Sequence, residues 1–130
     1  MDWKGISHAA LRISAGLMFF PHGAQKLFGL WGRDAVSLAT QSGVGGLIEL
    51  ICGLLILIGF QTRWAAFLCS GTMAVAFWQF HVMGSWAEQG LNALHPLLNR
   101  GELAALYCFV FFFLWANGGG PFSVDSRRAK

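Results

Sequence analysis

Four long runs nearly free of charged residues constrain this chain more than any other feature: 7–28, 43–60, 62–82 and 101–117. Each is close to the roughly 17–25 residues that a helix needs to cross a bilayer. Inside lipid no water meets the backbone N–H and C=O groups, so spanning runs of this kind form helices rather than open sheet. Period-two alternation is absent, which disfavours a membrane barrel. Only 12% of the 130 residues are charged while 55% are hydrophobic, against about 25% charged in a soluble domain. A chain this short has too little polar surface to cover that apolar inventory. The fold class read from the sequence is all-α, an integral membrane four-helix bundle forming a single domain over 1–130.

The first run is read as a retained span, because it lacks a small-residue cleavage site and Pro21-His22-Gly23 interrupts its end. Four spans place both termini on one side. That side collects Lys4, Arg12, Arg63, Arg127, Arg128 and Lys130, against Lys26, Arg33 and Arg100 on the other. The positive-inside rule then puts the termini in the cytoplasm. Segments 30–42 and 83–100 become outer linkers, and a tight turn at Gln61 joins spans two and three. The net charge of +3 does not signal nucleic acid, since the cations flank apolar runs instead of forming a stripe among exposed aromatics. Cys52, Cys69 and Cys108 stand singly in apolar runs, with no CxxC, and read as small hydrophobes.

The ionisable residues inside the spans carry the functional signal, because charge at membrane depth is costly and is kept where it faces a partner or a pathway. The stretch Phe19 to Gly29, FFPHGAQKLFG, places His22 and Lys26 four residues apart and so on one helix face. Glu49 lies two turns into the second span, His81 ends the third and Glu102 begins the fourth. All four spans bring a titratable group to the same outer half. Arg12, Gly16, Phe19 and Gly23 share a face of the first span, and Gly46, Glu49 and Gly53 share a face of the second. Small residues let membrane helices approach closely, so these faces are expected to meet. Each residue also has a bland reading. His22 and Lys26 snorkel to headgroups, Glu49 pairs structurally with Lys26 or Arg12, Glu102 complements a helix dipole, and His95-Pro96 shapes a turn.

Taken together, these residues resemble the DoxX family of small bacterial membrane proteins. The resemblance rests on Arg12, Gly16 and His22-Gly23-x-x-Lys26-Leu27-Phe28-Gly29. It continues with Gly45-Gly46-x-x-Glu49-x-x-x-Gly53, His81, Asn99-Arg100-Gly101-Glu102 and Phe122-Ser123-Val124-Asp125. It implies a multi-pass four-helix bundle of the bacterial inner membrane. It also implies an association with redox chemistry, either thiosulfate:quinone oxidoreduction or thiol and oxidative-stress systems. Arg100 departs from the Asn-Gly-Gly-Glu form of the family motif, and an arginine replaces glycine at positive φ only at a cost.

Four functions compete on these observations. In the first, the chain is a redox-associated subunit. Its Glu49 and His22 handle protons, while Lys26, His81 and Glu102 help bind a quinone headgroup or a sulfur-containing small molecule. No haem, flavin or iron–sulfur motif is present, so electrons come through a bound quinone or a soluble or membrane partner protein. In the second, His22, His81 and Glu49, with His95, ligate zinc, iron or copper. Lys26 beside His22 repels a cation and argues against this, and no metal ligand is assigned. The third is a small-solute or proton-linked carrier, which the scarcity of polar groups in the inner half weakens. The fourth is a non-catalytic assembly or anchoring subunit, with the polar cluster purely structural. The sequence leaves open whether the chain is an enzyme, what its substrate is and whether it forms a homo-oligomer.

Overall fold

The computed structural model describes residues 1–130, and the chain is helical throughout, with no strand. Helix α1 spans Trp3–Phe28, starting earlier than the apolar run because the Asp2 carboxylate accepts from Gly5 N–H at 3.1 Å. It runs through Pro21 and ends where Gly29, at φ 63°, donates its N–H to Gln25. The expected interruption at Pro21-His22-Gly23 does not occur. Proline removes one backbone donor, but α1 is held against α2 (Gln41–Ile58) on both sides of it.

That contact is built on glycine. A Cβ at Gly16 would sit 2.6 Å from the Leu57 backbone nitrogen, and one at Gly53 would sit 2.8 Å from Phe20 Cβ. At Gly23 a Cβ would collide with the Gly46 carbonyl oxygen. The two helices therefore lie antiparallel with their backbones nearly touching, in the manner of small-residue membrane interfaces.

A tight turn through Gly59 and Gln61 leads to α3, Thr62–Ala76. The helix does not stop at Val82. It passes through a π-helical turn at Phe77–Val82 into α4, Met83–Gln89, and a 3₁₀ turn at Gly90–Leu94. Short α5 (Pro96–Asn99) then leads to α6, Glu102–Asn117, and α7 (Val124–Arg128) follows a glycine-rich bend. The segment read from the sequence as the linker 83–100 is thus largely helical. Ser85, Glu88 and Gln89 end the apolar pattern but not the hydrogen-bond ladder, since a helix emerging from lipid keeps its internal bonds in water.

By length and composition, two helices can cross a membrane: Gln41–Ile58 and the continuous Thr62–Leu94. Helix α6 is apolar and shorter, at 16 residues. Pairs α1–α2 and α3–α6 pack side by side and meet along α2 and α3. Phe19, Ile56, Cys69, Phe111 and Leu114 fill the core, with the Phe19 ring 4.7 Å from Phe111 and 5.1 Å from Tyr107. Cys52 and Cys69 are buried there. Leu17, Ile51, Phe67 and Phe109 point outward, so the outside is as apolar as the core.

Candidate functional site

The close approach at Gly23 and Gly46 fixes what happens one turn further along. Lys26 lays its stem over Gly46, and its Nζ donates to Glu49 Oε1 at 2.7 Å. The Glu49 side chain is 4% exposed. Its second oxygen, Oε2, has no hydrogen-bond partner. A buried polar group left in this state costs about 1–3 kcal/mol.

Glu49 and Lys26 line a cavity of about 980 Å³, together with His22 from the same face of α1 and His81 from the π-helical turn. His81 Nδ1 lies 3.1 Å from the Asn99 carbonyl oxygen. A carbonyl only accepts, so Nδ1 carries the proton and Nε2 is left for another partner. The wider turn at Phe77–Val82 is of the rare kind that concentrates at functional sites. Phe19, Met73 and Tyr107 give the cavity apolar and aromatic walls.

Two arginines outside the site residues expected from the sequence also line this cavity, Arg33 and Arg100. Arg100 sits at φ 60°, ψ 24°, a left-handed conformation uncommon for a residue with a side chain. Asn99 supports it by accepting from Gly101 N–H and donating to the Ala93 carbonyl, both at 2.7 Å. The departure from glycine at this position was the one sign in the sequence that set Arg100 apart. With Lys26, three cations line the cavity against the single carboxylate of Glu49, which only Lys26 contacts.

Glu102 lies elsewhere. It is exposed in the first turn of α6 and does not line the cavity. There its charge complements the helix dipole. His95 caps α5, its Nδ1 accepting from Leu97 N–H at 3.3 Å, and it too stays outside. No three His, Cys, Asp or Glu side chains come together as a metal-ligating group.

At the opposite end of α1, Arg12 is 1% exposed. Its guanidinium donates to the carbonyls of Gly119 (2.9 Å), Ile56 (2.9 Å), Leu57 (2.6 Å) and Phe122 (3.0 Å). Beside it, Asp125 accepts from Gln61 N–H, Thr62 N–H and the Thr62 hydroxyl at 2.7–2.9 Å. Partial burial alone would push this carboxyl up. The hydrogen bonds from Thr62 and Gln61, with Arg128 nearby, outweigh it and hold Asp125 below the usual carboxylate range.

An all-helical membrane protein with one end tied shut and a polar cavity at the other is the class these features define. The sequence profile of DoxX matches residues 7–82, and the chain belongs to the DoxX family. A protein of Haemophilus influenzae, described only as uncharacterized, is 33% identical over 94% of this chain and 90% of its own length. An uncharacterized membrane protein of Mycobacterium tuberculosis is 27% identical over 99% of this chain and 90% of its own. No solved structure matches.

Proposed function

We propose that the protein is a redox-associated subunit of the bacterial inner membrane whose cavity takes a quinone-class ligand. The observation that carries this reading is the buried Glu49 carboxylate, paired with half-buried Lys26 and with Oε2 unpartnered, at the edge of a cavity of about 980 Å³. A quinone ring suits the aromatic and apolar walls, and its oxygens suit Lys26 and His81. Reduction of a quinone takes up two electrons and two protons. His22 and Glu49 are the groups on the wall able to pass protons. The electrons come from a partner protein, since the chain has no electron-carrying cofactor motif of its own. Arg33 and Arg100 favour the anionic, partly reduced ring over the neutral one.

In this reading α1, α2, α3 and α6 cross the membrane as a four-helix bundle, with both termini cytoplasmic. Supporting it are the exposed Trp3 and Trp64 at the Arg12 end and Trp31 and Trp86 at the cavity end, where interfacial tryptophans belong. Labelling of a cysteine placed at Ser126 from the external side would overturn this orientation.

The test is extraction and mass spectrometry of bound quinones, with metal analysis, on wild type and Glu49→Gln purified in mild detergent. A quinone near one per chain in wild type and lost in Glu49→Gln is the expected result. A metal in place of the quinone, or an empty cavity in both proteins, sinks the proposal.

A further inference from the structure

The cavity is not closed on the side where α2 faces α3. Its wall there is made by Val44, Gly45, Leu68, Gly71, Thr72 and Val75, of which Val44, Leu68, Gly71 and Val75 are exposed. Gly45 and Gly71 differ from the glycines of the α1–α2 contact: a Cβ added at either meets nothing within 4 Å. Neither glycine is required by packing or by a positive φ, and glycine inside a helix costs roughly 0.5–1 kcal/mol relative to alanine. What the two do is keep the space between the helices empty.

The opening has a defined frame. The Gln41 and Gln79 side chains bridge α2 to the π-helical turn by a reciprocal pair of amide hydrogen bonds, at 2.6 and 3.0 Å. The turn through Gly59 and Gln61 joins the same two helices at the other end. Between these ties, Gly71 and Glu49 each lie eight residues inward of the glutamine bridge, about 12 Å at the helical rise. The Gly71 wall of the gap is therefore level with the unpartnered carboxylate, and Gly45 lies one turn nearer the bridge.

Building on the quinone reading above, we propose that this gap is a lateral portal. The ligand is an amphiphile drawn sideways from the bilayer, with its ring held at Lys26, Glu49 and His81. Its long apolar chain leaves between α2 and α3 past Gly45 and Gly71. Three observations on different residues converge here: the unfilled space at the two glycines, the buried Oε2 without a partner, and the surplus of cations over carboxylates at the head. The exposed apolar side chains of the portal rim meet lipid, which is where such a tail would run.

The test uses the full chain in phosphatidylethanolamine–phosphatidylglycerol nanodiscs, loaded either with a benzoquinone bearing a long isoprenoid chain or with the same ring lacking the chain. Wild type is compared with Gly71→Leu and Gly45→Leu, which fill the portal from opposite walls and whose added Cβ meets nothing within 4 Å. Both variants are expected to lose long-chain occupancy by about tenfold or more while binding the tail-less ring as wild type does. Wild-type retention of the long-chain quinone in both variants overturns the portal and leaves the quinone reading standing. Loss of both probes overturns it as well, because the substitutions would then act on the ring site itself. Wild type binding neither probe overturns the quinone reading and the portal with it.

Discussion

Helix α1 carries one buried and one half-buried cation, and they are treated in opposite ways. Arg12 is enclosed, and all three of its nitrogens donate to backbone carbonyls of neighbouring segments. Lys26 reaches one carboxylate whose other oxygen bonds to nothing, and open space adjoins the pair. The first arrangement commits every nitrogen to the backbone and holds parts together. The second leaves an acceptor unmatched beside a cavity, which is the feature the proposed ligand site rests on. Burial of charge alone does not separate structural from functional residues. The state of their remaining hydrogen-bond capacity does.

The comparison is broken most forcefully at Arg12. Arg12→Ala removes four hydrogen bonds to carbonyls, of which Ile56 keeps a donor in Gly59 N–H, and at ~1–3 kcal/mol for each buried group left unpaired it should abolish stable accumulation of the protein. Detergent-solubilised yield and thermal unfolding would check this; a variant as stable as wild type would mean that the knot is ornamental. Gly23→Leu comes next. It drives a side chain into the Gly46 carbonyl and should destabilise the protein by about 1–3 kcal/mol or more. Gly45→Ala, one residue from the same interface, should be neutral or slightly stabilising. Equal effects of the two glycine changes in a thermal melt would contradict the packing described.

A smaller, pH-dependent effect is expected at Asp125. Its folded pKa lies below the ordinary value of 3.8. Its contribution to stability is therefore complete above 3.8 and is lost as pH falls through the lower, folded value. Melting temperature should decline at the acid end of that window in wild type and less so in Asp125→Asn; parallel curves would rule the residue out. The smallest effect on stability belongs to Glu49→Gln. The amide keeps the shape, and Lys26 borders a cavity, so the melt should shift little while bound ligand is lost. A large melting shift without ligand loss would move Glu49 into the same class as Arg12.

Much of the α1–α2 half is legible in the sequence. Seven-residue spacing of Gly16 with Gly23 and of Gly46 with Gly53 names the contact, and with it the proximity of Lys26 and Glu49. Those residues repeat at helical period within one segment, so one dimension suffices to align them. Arg33 and Arg100 are not legible in the same way, because their place on the cavity wall depends on how loops fold back over the helices. The run from Met83 to Leu94 was hidden by its polarity, which marks the exit from an apolar environment and says little about helicity. Glu102 illustrates the opposite error: it stands at the right level of the molecule but on the outer side of its helix. The tie between Arg12 and Phe122 was invisible because the arginine reads a backbone carbonyl, to which side-chain identity is mute.

The Arg12 knot also puts a clock on assembly. Its acceptors at Gly119 and Phe122 lie 107 and 110 residues further along the chain. At synthesis rates of about 5–20 residues per second, roughly 5–20 s separate the appearance of the arginine from that of its last carbonyl. During that interval α1 and α2 can already be zipped along their glycines, with the guanidinium bonded to Ile56 and Leu57 but not yet to Gly119 or Phe122. The nascent hairpin is therefore a waiting state, half tied until Phe122 arrives to close it.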